Sequence, residues 1–308
     1  MDSGFLGLYG RYRGIVDDAL VRMLPEIPGD ALRGAMRYAL LGGGKRVRGV
    51  AFLAVAMGGV GGGVAADAAE GGEGPAGVAV RFACAAEMAH AYSLIHDDLP
   101  CMDDDDMRRG KPSCHVAYGE AMALLAGDAL QSKAYECMIG ALAPSIGLGL
   151  DGEACAAVLG AAIGEAGMVG GQAREMAGVG GGLDATLAMY AMKTGALLEA
   201  CVTAPAALMK VDGAGREALK AYGRAFGLLY QLRDDLMDVV GDTGRMGKKV
   251  GRDERKGKVT VPTILGVEGT EKRIKDLLGD AMDALARAGG LGTGFLPDLA
   301  EYAAYRDA

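Results

Sequence analysis

The chain has 308 residues, of which 51% are hydrophobic and only 5% are aromatic, and its formal net charge is −8. This length allows a large buried core, and the negative charge argues against nucleic acid as a partner. The six cysteines include no Cys-x-x-Cys pair, and the first residues lack the basic and apolar regions of a secretory signal. We therefore expect reduced thiols in a cytoplasmic protein.

The distribution of apolar residues predicts an all-helical protein. Ala, Leu and Met are plentiful, Pro is limited to 9 residues, and patterns of period two are essentially missing. Apolar spacings of three and four predict helices over about 5–24, 30–41, 45–57, 78–98, 116–142, 151–177, 184–208, 215–240, 260–289 and 297–305. No repeat or clear boundary interrupts this pattern, so we expect one domain over residues 1–308.

One low-complexity stretch, residues 58–77, is rich in Gly, Ala and acidic residues and is predicted to be a flexible surface loop. The uncharged residues 49–66 overlap this stretch and are nearly long enough to span a bilayer. Their glycines instead predict a helix end that runs into the loop, and we expect no membrane span.

The first basic element is Gly42–Gly49, where three glycines precede Lys45 and Arg48. A helix that begins near Lys45 would place Lys45 and Arg48 on one face, beside the free N–H groups of its first turn. Such a site suits a diphosphate. Taken alone, the pattern is more typical of a helix end followed by solvated charges.

The first acidic segment contains Asp97, Asp98 and a run that begins at Asp103. Because Pro100 disfavours helix at the residue before it, the preceding helix should end there, and Asp103 can then fold back toward Asp97. The alternatives are a solvated acidic loop and a calcium site, although the EF-hand spacing is absent.

Histidines and arginines accompany this acidic segment. All three histidines of the chain lie in this region, which favours a function modestly, and His90 shares a helix face with Asp97. Arg108 and Arg109 follow directly and could bind phosphates in forked geometry.

The second acidic segment places Gln231, Asp234, Asp235 and Asp238 at offsets of 0, 3, 4 and 7, which predicts one polar stripe on a helix. The alternative is a stripe that faces solvent. However, two carboxylates four residues apart disfavour each other unless a cation lies between them.

Further basic residues stand in distinctive settings. The segment Lys193-Thr194-Gly195 lies inside a predicted helix, where its Gly predicts a kink. Lys248 and Lys258 bracket a basic loop, and each would be an ordinary surface lysine on its own. Gln172 and Glu175 lie three residues apart on another helix and carry less weight.

Together the two acidic segments predict a bound divalent cation. Carboxylates that are held close together raise one another's pKa and destabilise the fold. Mg²⁺ relieves this repulsion, and it prefers a few carboxylates, several waters and phosphate oxygens. Two such clusters with Lys and Arg around them therefore predict a diphosphate bridged by metal ions.

In this order the motifs resemble those of the trans-isoprenyl diphosphate synthases, or polyprenyl synthetases, from about Gly42 to Lys258. The D-D-x-x-x-x-D motif of that family is similar to residues 97–103, and its D-D-x-x-D motif is similar to residues 234–238. The elements G-G-K-R-x-R, K-T-G and G-K-x-x-G-x-D-x-x-x-G-K-x-T-x-P match residues 43–48, 193–195 and 247–262. Gln172-Ala173-Arg174-Glu175 departs from the usual Q-x-x-D by its longer acid.

The resemblance implies an all-α, isoprenoid synthase-type bundle around a central cavity, usually as a homodimer, with three Mg²⁺ ions per site or Mn²⁺ in their place. The implied metal ligands are Asp97, Asp98, Asp103, Asp234, Asp235 and Asp238. The implied ligands of an allylic diphosphate are Arg108, Lys193, Lys248 and Lys258. The implied ligands of isopentenyl diphosphate are Gly44, Lys45, Arg48, His90 and Arg109. Thr194 and Gln231, with the Lys193 carbonyl, would stabilise a carbocation.

The implied reaction joins isopentenyl diphosphate to dimethylallyl or geranyl diphosphate. Metal ions and cationic side chains stabilise the leaving diphosphate, the double bond attacks the allylic cation, and a proton is lost. In the family, the residues four and five before the first Asp help to form the pocket floor, and here they are Ser93 and Tyr92. A bulky Tyr92 and two extra residues in the first motif resemble bacterial-type farnesyl diphosphate synthases. They predict a product of fifteen carbons, with geranylgeranyl diphosphate as the main alternative.

Three rival classes are distinguishable. A class I terpene cyclase shares the fold and first motif, but its N/D-D-x-x-S/T-x-x-x-E motif is absent around Asp234. A non-catalytic regulatory subunit of a prenyl synthase would be favoured by loss of an aspartate motif, and both motifs are intact. A plain acidic metal-binding module leaves the Lys and Arg groups unexplained.

Overall fold

The computed structural model describes residues 3–58, 74–178, 181–240, 258–288 and 294–306, and Lys248 lies outside these ranges. The described α-helices, numbered in chain order, are α1 (Ser3–Met23), α2 (Ala31–Leu41), α3 (Val47–Gly58), α4 (Pro75–Asp97), α5 (Cys114–Tyr118), α6 (Glu120–Gly147), α7 (Gly152–Ile163), α8 (Met168–Met176), α9 (Leu183–Tyr190), α10 (Ala196–Leu208), α11 (Gly213–Val240), α12 (Val261–Ala286) and α13 (Leu296–Tyr305). A π-helical turn, Ala191–Gly195, joins α9 to α10. The all-α prediction is confirmed.

A short antiparallel hairpin follows the first acidic segment and was not predicted. Its strands are β1 (Met107–Arg108) and β2 (Lys111–Pro112), and Arg108 pairs with Lys111. The two loop residues, Arg109 and Gly110, both have positive φ, at 53° and 75°. Two left-handed residues are what a tight two-residue hairpin requires. Strands of two residues are too short to show a period in the sequence.

Two of the predicted helices are divided in the structure. The predicted helix 151–177 is wrong as a single element, because residues 164–167 separate α7 from α8. A Cβ on Gly167 would lie 2.1 Å from the Ala162 carbonyl oxygen, so this turn needs glycine. The predicted helix 116–142 is interrupted at Gly119, where φ is 86°, and it continues to Gly147.

The predicted loop 58–77 is too long at both ends. Gly58 is the last residue of α3, and Pro75–Gly77 form the first turn of α4. Pro is well placed there because the first helical turn needs no intrahelical N–H donor. Residues 59–73 lie outside the described ranges.

The core is built around α3, α4 and α10. Every residue of α3 from Val47 to Met57 is buried, which explains why this segment is apolar on all faces. The described segment Gly152–Met176 is long and apolar enough to cross a membrane by length and composition alone. In the structure it is two helices, and α7 packs against α10, so it forms part of the core.

A buried ion cluster fixes the glycine-rich loop between α2 and α3. The Arg46 side chain is only 3% exposed, and it lies 2.7 Å from the Asp17 carboxylate and 3.6 Å from that of Glu87. The Arg46 guanidinium also donates to the Leu40 carbonyl, and Glu87 accepts a hydrogen bond from the Gly49 N–H. Buried charges require such partners, so the cluster holds the loop in one conformation.

An aromatic cluster joins the first helix to the last. The rings of Phe5 and Tyr9 in α1 pack against Phe295 and against Tyr302 of α13, with centroid separations of 5.0 to 6.5 Å. Aromatic pairs at these separations stabilise the contact between the two helices. The cluster therefore fixes the end of α13 against the body of the protein.

Removal of the Glu87 carboxylate tests the buried ion cluster. Because Glu87→Ala leaves the Arg46 charge buried with one fewer partner, we expect the free energy of unfolding to fall by about 3 kcal/mol or more. Urea unfolding followed by circular dichroism measures this loss. The control is Arg13→Ala, which breaks an exposed pair with Asp17 and should cost less than about 1 kcal/mol. Equal losses in the two variants would contradict a structural role for the cluster.

Candidate active site

A cleft of about 1020 Å³ lies between the ends of α4 and α11 and collects most of the predicted site residues. Those that line it are Gly44, Lys45, Arg48, His90, Tyr92, Ser93, Asp97, Asp103, Arg108, Arg109, Lys193, Thr194, Gln231, Asp234, Asp235, Asp238 and Lys258. They come from seven separate stretches of the chain, including both acidic segments. The cleft therefore joins acidic and basic groups that the sequence could only pair by hypothesis.

The first acidic segment folds as predicted. Helix α4 ends at Asp97, and the Asp103 N–H donates to the Asp97 carbonyl at 2.8 Å, so the chain turns back on itself after Pro100. The pKa of the Asp97 carboxyl is raised to about 6, chiefly by burial; Lys193 opposes this shift and Asp103 contributes to it. The two carboxylates therefore repel each other across a partly dry site, which a cation would relieve.

Asp98, which was predicted as a metal ligand, is paired with Arg108 in the structure. Its carboxylate is only 3% exposed and accepts two hydrogen bonds from the Arg108 guanidinium, which also lies 3.7 Å from Asp105. Asp98 does not line the cleft. Successive helix residues point about 100° apart. Asp97 and Asp98 thus face different directions, and Asp98 positions Arg108.

The second acidic segment belongs to a hydrogen-bonded network. The Tyr190 hydroxyl donates to Asp235 at 2.5 Å, and the Gln231 amide donates to the same carboxylate at 2.7 Å. The Gln231 carbonyl oxygen accepts from the Thr194 hydroxyl at 2.6 Å. Asp235 is thereby fixed by two donors, and Asp238 beside it is only 3% exposed. Gln231 connects the motif to Thr194.

At the predicted kink the structure has a π-helical turn, Ala191–Gly195, which ends at Gly195 before α10. A Cβ on Gly227 of α11 would lie 2.7 Å from the Gly195 Cα, so two glycines let the helices approach closely. π-helical turns inside helices are frequent at functional sites. This one carries Lys193 and Thr194 to the cleft.

Two lysines converge on Glu175, the residue that departs from the family pattern. The Lys193 ammonium contacts one Glu175 oxygen, and the Lys258 ammonium lies 3.5 Å from the other. Lys258 also lies 2.9 Å from the Asp103 carboxylate. The longer side chain of Glu therefore reaches both lysines, which places two cations beside the first acidic segment.

A second group of cations also lines the cleft. Helix α3 begins at Val47, so Lys45 precedes the helix and does not share its face with Arg48 as predicted; both nevertheless line the cleft. Burial and the nearby Arg306 lower the pKa of Lys45 to about 8, against the opposing effect of Asp234. Burial and then Arg48 lower the pKa of His90 well below its usual value, so His90 is neutral at pH 7.

Gly44 is required by the packing of Arg109. The Arg109 guanidinium donates to the Gly43 carbonyl, and a Cβ on Gly44 would lie 2.9 Å from its central carbon. Gly44 also has a φ of 127°, a backbone conformation that residues with a side chain rarely adopt. The glycine-rich loop thus positions Arg109 beside Lys45.

The donor set fits Mg²⁺. Within the described ranges, no group of three or more His, Cys, Asp or Glu side chains is close enough to hold a metal ion by itself. Mg²⁺ is usually bound by one or two carboxylates together with waters and substrate phosphates, and Asp97 with Asp103 on one wall and Asp234 on the other supply such carboxylates. The raised pKa of Asp97 marks a place where positive charge is favourable.

Two residues near the site, Arg306 and Tyr190, carried no distinctive sequence signal, and Gln172 carried a weak one. Arg306 follows α13, stacks over the Tyr230 ring at 3.7 Å and lies 2.6 Å from the Asp234 carboxylate. Tyr190 contacts Asp235 as described. Gln172 lines the cleft, and neither atom of its amide has a hydrogen-bond partner within the described part of the chain. The family's Q-x-x-D pattern was the signal for Gln172; a single Arg after an amphipathic helix offers none.

Comparison with known proteins identifies the family. The sequence pattern of the polyprenyl synthetases matches residues 30–288. The chain is 40% identical over 300 residues to farnesyl diphosphate synthase of Escherichia coli (strain K12), covering 94% of this chain and 95% of that protein. It is 38% identical to the chloroplastic geranylgeranyl pyrophosphate synthase of Capsicum annuum, covering 95% of this chain and 75% of that protein. A geranyltransferase of Helicobacter pylori, solved with magnesium and isoprenyl diphosphate, matches with a TM-score of 0.78 at 26% identity, covering 98% of this chain and 97% of that one.

The chain therefore belongs to the polyprenyl synthetase family, as its motifs predicted. It is a trans-prenyltransferase, an enzyme class that depends on Mg²⁺. Farnesyl diphosphate synthesis is its best-supported activity, and geranylgeranyl diphosphate synthesis is the close alternative.

The different surroundings of Asp97 and Asp98 predict different kinetic defects. We expect Asp97→Ala and Asp234→Ala to lower turnover by about 100-fold or more and to raise the Mg²⁺ concentration needed for half-maximal rate. Asp98→Asn should leave the Mg²⁺ requirement nearly unchanged and raise the KM for the allylic substrate, because it releases Arg108. Initial rates at varied Mg²⁺, with circular dichroism as a folding control, measure both effects. A large shift in the Mg²⁺ requirement of Asp98→Asn would restore Asp98 as a ligand.

The lowered pKa of Lys45 predicts a pH dependence of substrate binding. Below pH 8 Lys45 is charged and attracts a diphosphate, and it loses this charge as the pH rises through about 8. We therefore expect the KM for isopentenyl diphosphate to rise above that pH. Lys45→Arg is the control, because a guanidinium stays charged, and its KM should vary less with pH. The same pH profile in both proteins would exclude Lys45 as the titrating group.

Proposed function

We propose that the enzyme condenses isopentenyl diphosphate with dimethylallyl diphosphate and then with geranyl diphosphate, and that it releases farnesyl diphosphate. The observation that carries this proposal is the presence of two separate cationic groups in one cleft that also holds both aspartate segments. Lys193 and Lys258 lie beside the first segment, and Lys45, Arg48 and Arg109 line the cleft with the glycine-rich loop. Two diphosphates can bind there side by side.

We assign isopentenyl diphosphate to the group that includes Lys45, Arg48 and Arg109. Three cationic side chains at a glycine-rich turn suit the charge of a diphosphate. His90, neutral at pH 7, can add a hydrogen bond there without adding charge. Gly44 belongs to this site because its missing side chain leaves room for Arg109.

We assign the allylic diphosphate to the other side of the cleft. Lys193 and Lys258 would exchange their contacts with Glu175 and Asp103 for the substrate phosphates, and Arg108 lies next to them. We also assign Lys248 to this group because of the motif in which it stands, and that residue lies outside the described ranges. The lysines stabilise negative charge as the allylic C–O bond breaks.

The reaction needs no nucleophile from the protein. After the C–O bond breaks, the double bond of isopentenyl diphosphate attacks the allylic carbocation, and the departed diphosphate can take up the proton that is lost. The Thr194 hydroxyl oxygen and the Gln231 carbonyl oxygen lie together at the cleft and can stabilise the cation. The hydrogen bond from Gln231 to Asp235 orients this amide.

We propose three Mg²⁺ ions per active site, held by Asp97 and Asp103 from the first segment and by Asp234, with Asp235 and Asp238 beside it. When bound, Mg²⁺ neutralises the diphosphate and makes it a better leaving group. The Arg306 guanidinium contacts Asp234, so it must yield this carboxylate when a metal ion binds there.

Tyr92 accounts for a product of fifteen carbons. Its ring is buried at the cleft wall on α4. Tyr92 precedes Asp97 by more than one helical turn, in the direction in which a growing tail would extend. Burial raises the pKa of its hydroxyl to about 12, so the ring is neutral and presents mainly an apolar surface. Ser93 beside it is small, and its hydroxyl donates to the His90 carbonyl. A bulky floor favours the farnesyl product over the geranylgeranyl product.

We further propose that two copies of the chain associate through α6. Exposed apolar side chains at helical spacing, Leu125, Tyr135, Ile139 and Ile146, form a stripe along this helix, and a second copy of the same stripe would cover it. Sedimentation velocity of the wild-type chain tests the dimer, and a monomer would refute it.

We also propose that the enzyme lies in the cytoplasm. Its six cysteines are free, as a reducing compartment would keep them.

Product analysis tests the proposed function together with the role of Tyr92. With Mg²⁺, labelled isopentenyl diphosphate and a dimethylallyl or geranyl primer, we expect farnesol after dephosphorylation. Tyr92→Ala should lengthen the product, whereas Tyr118→Ala, an exposed tyrosine away from the cleft, should not. Geranylgeraniol from the wild-type enzyme would keep the chemistry and overturn the assignment of the floor. No condensation by folded protein would favour the regulatory subunit.

A further inference from the structure

The wall of the cleft above Tyr92 is formed by His96. The two residues are four apart on α4, so they share a face, and their rings meet edge to face at 5.8 Å. Both line the cleft. Four helical residues rise about 6 Å, which is comparable to the length of one isoprene unit. A tail that reaches Tyr92 must therefore pass His96 first.

His96 is packed directly against the neighbouring helix. Its Nε2–H donates to the Leu124 carbonyl of α6 at 3.1 Å, because that carbonyl can only accept, and the Asp128 carboxylate lies 3.8 Å away. A Cβ on Gly127 would lie 2.1 Å from the same nitrogen. The ring thus occupies the space that a side chain at position 127 would fill.

Gly127 is unusual at its position. It is buried within α6, where Gly costs about 1 kcal/mol relative to Ala. Its backbone belongs to a continuous helix and has no positive φ that would require glycine. The close contact with His96 is the packing reason for its presence.

We propose that the pair His96 and Gly127 determines how far a product can grow, as a second level of the wall above the Tyr92 floor. With glycine at position 127, the His96 ring lies against α6 and leaves the passage to Tyr92 open. A side chain at position 127 would push the ring away from α6 and into the cleft, one turn above the floor. The passage would then close one isoprene unit earlier. This inference rests on the proposed condensation reaction.

Primer preference in Gly127→Ala tests the proposal. We expect kcat/KM for geranyl diphosphate to fall at least tenfold relative to kcat/KM for dimethylallyl diphosphate, and the main product to shift from farnesol to geraniol. Retained use of the shorter primer reports an intact fold, since an unfolded variant loses both reactions. Gly140→Ala is the matched control on α6, because its Cβ would meet only Arg81 at 3.7 Å, and it should behave as wild type.

A double variant identifies the His96 ring as the cause. In Gly127→Ala/His96→Ala no ring remains to be displaced, so farnesol should return as the main product. His96→Ala alone should still stop at farnesol because the Tyr92 floor is intact. An unchanged primer ratio in Gly127→Ala would overturn the proposal, as would a double variant that still stops at geraniol.

The wild-type product and the Gly127→Ala product together separate a failure of the proposed reaction from a failure of the His96 and Gly127 pair alone. If the wild-type protein extends no primer, both the proposed function and the role of the pair in chain length are refuted. If the wild-type protein makes farnesol and Gly127→Ala makes it with the same primer ratio, only the role of the pair fails. If the wild-type product is geranylgeraniol, a shift by one isoprene unit in Gly127→Ala still supports the pair.

Discussion

Charge neutralisation inside a half-buried cleft is the constraint on which the rest of this structure depends. Burial and the neighbouring Asp103 raise the pKa of Asp97 to about 6, which reflects the cost of placing carboxylates together away from water. In the described structure, Lys258 contacts Asp103 and Arg306 contacts Asp234. Lys258 lowers the cost of the Asp103 charge, and Asp234 supplies a partner for the buried Arg306 guanidinium, because unpaired buried charges are strongly destabilising.

The fold can be understood as the framework that brings these charges together. The aromatic cluster between α1 and α13 fixes the residues from which Arg306 reaches Asp234. The buried Arg46 cluster fixes the glycine-rich loop from which Lys45 enters the cleft. The close approach of Gly195 and Gly227 fixes the turn that carries Lys193. The catalytic cations thus come from segments that are individually anchored by packing.

The same pairing explains how the proposed substrates could bind at a moderate cost. A diphosphate would replace Glu175 and Asp103 as the partner of the lysines, and metal ions would replace the cations on the aspartates. The lysines and the aspartates would each exchange one ionic partner for another. Neither set would then be left as unpaired charge in a site of low polarity. Below the charged region the wall is formed by Tyr92 and His96, which suits a hydrocarbon tail. Polar and apolar substrate parts therefore have separate surroundings along α4.

The sequence by itself determined the features that depend on neighbouring residues. Apolar periodicity predicted most of the helices, Pro100 predicted the end of α4 and the return of Asp103, and Gly195 predicted the irregular turn. The ordered motifs predicted the family. These signals are local, since propensity, helix termination and spacing act within a few residues.

Only the tertiary structure decided which partner each side chain finds. Asp97 and Asp98 are equivalent in the sequence, but helix geometry turns one toward the cleft and the other toward Arg108. The contacts of Arg306 with Asp234 and of His96 with Gly127 join residues far apart in the chain. Such contacts depend on how helices pack, and packing is set by the shapes of many side chains at once, which no local pattern records.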